Sequence, residues 1–517
     1  MNRCFERIRL RLGLLLGFAL VATLPLAARE PAEPAINVIL WFDTEDYLLP
    51  ASDDAAKRLC QMLTQRGIRA TFKVVGEKAR VLEQRGRQDV IAALQQHDIG
   101  YHSNFHSVHP TPAEYLAECG WLDGIAEFVR REGGGADDVR RIFGKSTLSC
   151  YGQPGDSWAP QALAALPQIG VAPHGVPCYV DEAKHVGLNA QPFWYVGALN
   201  VFNMGSNFTR LNLRHPDALA PAEQAFSGIA ERLRKQGGGL ISVYYHPCEW
   251  VHREFWDSVN FKRGANPPRE QWKAPAQLPP EVTETNFIRF GQYLDYLQSV
   301  PGVHWVTASD LPLLYPDRVR TEGAPEPDVE ALARRLAEGK ATGVDMVCLG
   351  SRAYSVADQF ELLTTAVQEM IAGHALRYPL KASGLIGPDG PPPAAGTLNQ
   401  LDWFAFRDAA KDVFGFIRTE RRIPARVFIG AEMVAPEDFL VALARVYEFQ
   451  RANGRLPQAE GVPLGQQLQL LPAQHVAEDT PELFGNWPIH KSGYQAPKLM
   501  ELARLQAWTL KPALPAR

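Results

Sequence analysis

Apolar and polar positions in the first 320 residues divide the chain into two alternating kinds of segment. Residues 36–42 form a nearly continuous apolar run, which is typical of a strand buried on both faces in a parallel sheet or barrel. The pattern then predicts a helix at 55–66, a strand at 69–75 and a helix at roughly 81–96, before residues 97–110. Strands and helices in alternation indicate an α/β fold.

The pattern changes after residue 320. Residues 319–329 are rich in proline and acidic side chains and are predicted to form a linker between a domain at 30–318 and a second one at 330–517. In the second domain, apolar residues recur every three or four positions, which predicts a mainly α-helical C-terminal domain.

A short motif recurs within the helical part. SVADQF at 355–360 is repeated as VAPEDF at 434–439, each opening a helix, and Arg-X-Pro follows both helices. Repeated units of a helix and a hairpin are common in binding modules that stack. The order of these pieces resembles pseudomurein-binding-type cell-wall repeats, which would imply cell-wall or polysaccharide binding. A helical dimerisation or lid domain is the alternative.

The N-terminus has the pattern of an export signal. Four arginines precede an apolar run at 12–26, which is short for a membrane span and is followed by Ala27 and Ala28. We therefore expect residues 1–29 to be a signal peptide or an N-terminal anchor, with the mature protein periplasmic, on the cell surface or secreted. Membrane contact is expected only through this segment if it is not cleaved.

Net charge and cysteine spacing limit the classes of partner and of metal or redox site that we expect. The net charge of −4 shows no basic excess, so nucleic acid is not expected as a partner. The seven cysteines are scattered without CxxC spacing, so they indicate neither a thiolate metal site nor a redox pair.

Histidines are concentrated in residues 97–110, HDIGYHSNFHSVHP, which hold four of the 13 in the chain. His102 and His106 are four residues apart and would face the same way on a helical turn. Two imidazoles and a carboxylate make the usual three-ligand site for a catalytic metal ion. A polar surface loop that happens to contain histidines is the alternative.

Other polar groups follow predicted strands. Asp43, Glu45 and Asp46 come directly after the first apolar run, where α/β folds place active sites. His246 follows the apolar strand LISVYY in the same way, with Glu249 close enough to orient it. Acids that cap the next helix and a histidine packed in the core are the alternatives.

Three of these stretches together resemble a known family. ILWFDTED, GIRATFKVVGEKA and HDIGYHSNFHSVHP are similar to the opening of the polysaccharide deacetylase superfamily (NodB-like, carbohydrate esterase family 4), over about residues 36–315. The resemblance implies a distorted (β/α) barrel. It also implies roles for particular residues: Asp43 as general base, His246 as general acid, His102 and His106 as metal ligands, and Glu45, with Asp46 as the alternative, as the third ligand.

The middle motif departs from that family. Members usually have an arginine that holds the base, close before a Pro-aromatic pair, whereas residues 149–158 read SCYGQPGDSW. The expected substrate and oxyanion region is therefore Tyr151, Gln153, Pro154 and Trp158, without an arginine. Gln153, Arg210 or another distant basic group could orient the base instead.

Aromatic residues are frequent at 193–195 and again between Trp250 and Trp272. They could stack on sugar rings or simply pack. Residues 251–280, rich in proline, are predicted to be an inserted active-site loop.

The function that the resemblance implies is metal-dependent removal of N-acetyl groups from a cell-envelope or extracellular polysaccharide. Nitrogen and oxygen ligands suit zinc best, and cobalt, nickel and manganese are the alternatives. A hydrolase of a non-carbohydrate amide and a non-catalytic cell-envelope binding protein are the competing hypotheses.

Overall fold

The computed structural model describes residues 34–338, 342–393 and 398–516. The predicted signal or anchor at 1–29 lies outside these residues. Among the described helices, none has the length and apolar character that crossing a membrane requires.

The first region is an α/β unit, as the alternating pattern predicts. Its strands are β1 (Ile36–Thr44), β2 (Thr71–Val74), β3 (Asp98–Tyr101), β4 (Cys178–Val180), β5 (Phe193–Tyr195), β6 (Ala198–Val201), β7 (Gly239–Tyr245) and β8 (Val303–Val306). Its helices are α1 (Pro50–Gln65), α2 (Gly76–Gln84), α3 (Gln88–Gln95), α4 (Pro112–Leu116), α5 (Trp121–Phe143), α6 (Pro160–Ala165), α7 (Leu219–Lys235), α8 (Trp256–Asn260), α9 (Pro280–Ser299), α10 (Leu311–Leu314) and α11 (Arg318–Thr321).

The single helix predicted at 81–96 is two helices in the structure. The stretch expected to be helical at 81–96 is divided between α2 and α3. Gly86 adopts a φ of 66° between them, a left-handed conformation that suits glycine and ends a helix.

β1 is the centre of the main sheet. It pairs in parallel with β7 along one edge, and with β2 and β8 along the other, while β3 pairs in parallel with β2. Phe42, like most of β1, is fully buried, which explains its continuous apolar sequence. Because all these strands are parallel, the residues after β1, β3 and β7 emerge at one edge of the sheet.

A second set of strands continues from β3. Tyr151 bridges Tyr101 at the end of β3 to Tyr179 in β4, and β4, β6 and β5 follow in order. The predicted α/β class with a parallel sheet is confirmed. The closed barrel is not confirmed, because no pairing among the described residues joins β5 and its neighbours back to β7.

The second region is mainly helical. Its helices are α12 (Glu326–Ala337), α13 (Val356–Ile371), α14 (Trp403–Glu420), α15 (Pro436–Asn453) and α16 (Pro481–Gly485), and its short strands are β9 (Gly343–Val344), β10 (Val347–Leu349), β11 (Arg352–Tyr354), β12 (Gln400–Leu401), β13 (Val427–Ile429), β14 (Glu432–Val434), β15 (Val462–Pro463) and β16 (Gln469–Leu470). The repeated motif corresponds to two units of the same form. Hairpin β10–β11 leads into α13, and hairpin β13–β14 leads into α15.

The last part of the chain returns to the first region. Leu499 and Met500 of α17 (Pro497–Gln506) belong to the same apolar core as β1. β17 (Lys511–Pro512) pairs antiparallel with β5. The tyrosine hydroxyl of Tyr195 donates to the Ala503 carbonyl oxygen at 2.7 Å. The end of the predicted domain at 330–517 therefore packs with the α/β unit, and the helical repeats lie between.

Candidate active site

The predicted acids and histidines meet at one edge of the main sheet. Asp43 is near the end of β1 and Glu45 just after it, His102 follows β3, and His246 follows β7. Asp43, Glu45 and His102 are buried, with Asp43 5% exposed and His102 1% exposed, and His246 is half-buried. A parallel sheet brings the carboxyl ends of its strands together, so these side chains share one cavity.

Glu45, His102 and His106 form a group that could hold a metal ion. One ligand atom from each lies within 4.8 Å of the others. Glu45 Oε2 is 2.8 Å from His106 Nε2 and 3.6 Å from His102 Nε2. A carboxylate with two imidazoles is a common donor set for a catalytic metal ion with an open position.

The two histidines reach this group without a helix. Residues 102–110 are a loop, and Ser103 and His106 have φ values of 64° and 57°. The predicted helical turn was wrong, because the chain leaves β3 and turns through left-handed positions. The two rings nevertheless lie 5.0 Å apart between centroids.

Hydrogen bonds fix the orientation of both rings. His102 Nδ1 donates to the Gly152 carbonyl oxygen at 2.9 Å, and His106 Nδ1 donates to Ser107 Oγ at 2.6 Å. Ser107 Oγ in turn donates to Asp257 Oδ2 at 3.1 Å. With Nδ1 protonated, a neutral imidazole has its lone pair on Nε2. Such outer contacts are typical of metal-ligating histidines, so this donor set fits a metal ion.

The inserted loop also holds Glu45. Trp256 Nε1 donates to Glu45 Oε1 at 3.0 Å, which leaves Oε2 directed at the histidines. Asp46, the alternative third ligand, lies outside the group. Its Oδ1 accepts the backbone N–H groups of Leu48 and Leu49 at 2.9 and 3.1 Å, just before α1.

Lys73 holds the predicted base. Its Nζ lies 2.9 Å from Asp43 Oδ1 and 3.0 Å from Asp181 Oδ2, and the lysine is fully buried. Burial raises the pKa of Asp43, but His102 and Lys73 outweigh it and keep that pKa below its usual value. The basic group that the middle motif lacks is therefore supplied by β2.

The substrate region predicted at 151–158 is only partly at the cavity. Gln153 lines it, with its Nε2 donating to Asp181 Oδ1 at 3.0 Å. Tyr151 and Trp158 are fully buried, and Trp158 stacks on His185 with ring centroids 5.0 Å apart. These two side chains are core residues, and Pro154 does not line the cavity either.

His246 is held by an acid and an arginine. Its Nδ1 lies 2.7 Å from Glu249 Oε1, and Arg210 pairs with the other oxygen of Glu249. His246 Nε2 lies 3.7 Å from Asp43 Oδ2. Burial lowers the pKa of His246, but Glu45 and Glu249 raise it to about 9. The ring is therefore protonated at neutral pH, and Arg210 contacts Glu249 rather than the base.

The cavity measures about 290 Å³. Its aromatic lining residues are Trp41, Tyr244, Phe255 and Trp487. Among the other aromatic residues proposed for sugar stacking, Trp250, Trp256, Phe261 and Phe193 are fully buried and pack in the core.

Three participants were not predicted as site residues. Lys73 stands in an otherwise apolar strand and Asp181 directly follows the short strand β4. A charged residue within a buried strand was a signal for the first, and an acid at a strand end was a weak signal for the second. Trp487 had none, because it lies 381 positions after His106 in the sequence and reaches the site only through tertiary packing.

Comparison with known proteins gives structural likenesses at low identity. No protein-family model and no curated protein matches the chain. The solved structures that resemble it include polysaccharide deacetylases and esterases of carbohydrate esterase family 4. A Mycobacterium smegmatis protein provisionally described as a polysaccharide deacetylase is 13% identical, with 54% of this chain and 89% of that chain covered and a TM-score of 0.34.

Two further likenesses differ in the activity that their names state. A family 4 acetyl xylan esterase from Clostridium thermocellum, in complex with a cobalt ion, is 14% identical over 54% of this chain and 90% of its own, with a TM-score of 0.28. Puue allantoinase is 10% identical, with 55% of this chain and 93% of that chain covered and a TM-score of 0.35. All three TM-scores are below 0.5, so we argue function from the geometry of the site. None of the three supports the resemblance to cell-wall repeats.

Proposed function

We propose that the protein is a metal-dependent hydrolase that removes N-acetyl groups from a polysaccharide. The observation that supports this is the convergence of a metal-ligand set, a carboxylate and a protonated imidazole on one cavity. The ligands we assign are Glu45, His102 and His106. Zinc is the first choice for nitrogen and oxygen donors, with cobalt, nickel and manganese as alternatives.

Asp43 and His246 supply the two proton transfers that amide hydrolysis needs. A bound ion of this class acts as a Lewis acid that polarises the acyl oxygen and makes water more acidic. Asp43, held ionised by Lys73, takes the proton from the attacking water. His246 donates the proton on Nε2 to the departing nitrogen, while Glu249 holds Nδ1.

The location of the substrate is part of the same proposal. The predicted export segment favours a cell-envelope or extracellular polysaccharide over an intracellular one.

Metal content and acetate release test this function together. We expect near-stoichiometric metal by mass spectrometry on the purified protein, and acetate release from N-acetylglucosamine oligosaccharides that is lost in Asp43→Asn. Metal without acetate release from any N-acetylated sugar would instead favour a non-carbohydrate amide. Protein that takes up no metal would overturn the site assignment.

A further inference from the structure

A segment far along the chain forms one wall of the cavity. Trp487 and Pro488, just after α16, line it. The indole of Trp487 meets the ring of His106 edge to face, with centroids 5.8 Å apart. Trp487 is half-buried and contributes to the cavity lining, whereas the predicted metal-ligand side chains are buried.

The start of α4, which follows the histidine loop at 102–110, holds this segment on one side. His490 Nε2 lies 3.0 Å from Thr111 Oγ1, and the hydroxyl of Tyr494 donates to the Ala113 carbonyl oxygen at 3.0 Å. The ring of His490 also lies edge to face with Trp487, at 4.9 Å between centroids. These contacts fix the indole relative to the start of α4.

The inserted loop holds it on the other side. The backbone N–H groups of Arg263 and Gly264 donate to the carbonyl oxygens of Pro488 and Ile489, both at 2.8 Å. The backbone just after Trp487 is thus held by the start of α4 and by residues 263 and 264. Such anchoring pre-organises a binding side chain.

A glycine makes room for the ring. Gly155 has a φ of 47°, and a Cβ at this position would lie 2.3 Å from Trp487 Cε2. Any larger residue would displace the indole from the cavity. The turn after Gln153 and the C-terminal segment are therefore fitted to each other.

We propose that Trp487 determines specificity by stacking on the pyranose ring that carries the N-acetyl group. This inference rests on the proposed function for the identity of the ligand. An indole offers a large, rigid apolar face, and Phe255 and Tyr244 line the same cavity. The cavity volume of about 290 Å³ is at the lower end of the usual range for ligand sites, roughly 300–1,000 Å³, which suits one sugar ring.

The test compares Trp487→Ala with Trp487→Phe and with Trp305→Ala, a half-buried tryptophan of β8 that does not line the cavity. We expect Trp487→Ala to weaken N-acetylglucosamine binding, measured by calorimetry, and to raise the KM for acetate release, each by up to about tenfold. Metal content should be unchanged, and kcat should fall less than KM rises. Trp487→Phe should keep most of the affinity, and Trp305→Ala all of it.

The outcomes separate this inference from the proposed function. Acetate release with an unchanged KM in Trp487→Ala would overturn the role of Trp487 and leave the hydrolase intact. Sugar binding that needs Trp487, without any acetate release, would support the role and overturn the hydrolysis. Loss of metal in Trp487→Ala would overturn the specificity role and show a merely structural residue, and no sugar binding by the unaltered protein would overturn both proposals.

Discussion

Two buried lysines in this protein each lie between two aspartates, yet only one belongs to the candidate active site. Lys73 is in β2 and Lys511 is in β17, and they are 0% and 3% exposed. Their Nζ atoms lie 2.8–3.0 Å from the nearest carboxylate oxygens, which belong to Asp43 and Asp181 for Lys73 and to Asp317 and Asp358 for Lys511.

The difference is in what the aspartates do besides pairing. Asp358 also accepts the backbone N–H of Ser355 at the start of α13, and Asp317 accepts that of Arg320 at the start of α11. Asp43 instead faces His246 and the cavity with its second oxygen. A buried ion pair is therefore no sign of a site by itself. A carboxylate with one oxygen directed at a cavity and at imidazoles, rather than at a helix start, does indicate a candidate site.

The largest expected effect comes from removing the two predicted metal-ligand histidines of the cavity beside Lys73. His102→Ala with His106→Ala should abolish metal binding and lower kcat/KM by at least about 1,000-fold, since the ion contributes several kcal/mol to catalysis. Mass spectrometry and the acetate assay measure both. The control is His304→Ala with His374→Ala, two exposed histidines, which should change neither. Stoichiometric metal in the first double variant would place the metal elsewhere.

The next effect contrasts the two sets of aspartates. Asp43→Asn should lower kcat by about 10²–10⁴-fold, the usual contribution of a general base, while metal content is retained. Asp358→Asn should leave kcat near that of the unaltered protein and reduce stability instead, because it caps α13. The idea would fail if the two variants lost activity to a similar extent.

Replacing the lysines themselves should affect both regions alike in stability. Lys73→Met and Lys511→Met each leave two buried carboxylates without their cation, which should cost about 3–5 kcal/mol in the free energy of unfolding. Urea titration followed by circular dichroism measures this. Only Lys73→Met should also lower kcat in folded protein, through Asp43. Equal kcat values in the two variants would remove Lys73 from the site.

The smallest effect concerns the pH dependence. His246 must be protonated to donate, so activity should be lost as the pH rises through its pKa, which the neighbouring carboxylates raise above the usual value. Glu249→Gln removes a carboxylate that raises this pKa, so the loss should begin about one pH unit lower. The kcat/KM profile measures it, with Glu254→Gln, an exposed neighbour, as the control. An unshifted basic limb would mean that His246 is not the acid.

Sequence reasoning predicted which side chains converge where polar residues follow a strand. Asp43, Glu45 and His246 were predicted from apolar runs that end in polar residues, and the parallel sheet brings them together. Sequence reasoning did not predict Lys73, because the residue that it contacts, Asp43, lies on another strand. Lys73 meets Asp43 because β1 and β2 pair with Asp43 opposite Lys73, and that register is not readable from either strand alone.

The backbone conformation of the histidine loop at 102–110 was also not predictable from the sequence. A spacing of four suggested a helical turn, but left-handed residues produce the same approach of two rings. The approach of His102 and His106 was predictable, whereas their local conformation was not, because spacing limits which side chains can meet and does not fix the path between them.

The pairing of β17 with β5 has a consequence for how this chain folds. The Val196 backbone N–H donates to Thr509 Oγ1 across 313 residues, and contacts this distant in sequence slow folding. Until synthesis reaches residue 511, β5 has an unpaired edge, and such edges are templates for aggregation. A chain truncated after the helical repeats would keep that edge, so the first domain is complete only once β17 has left the ribosome.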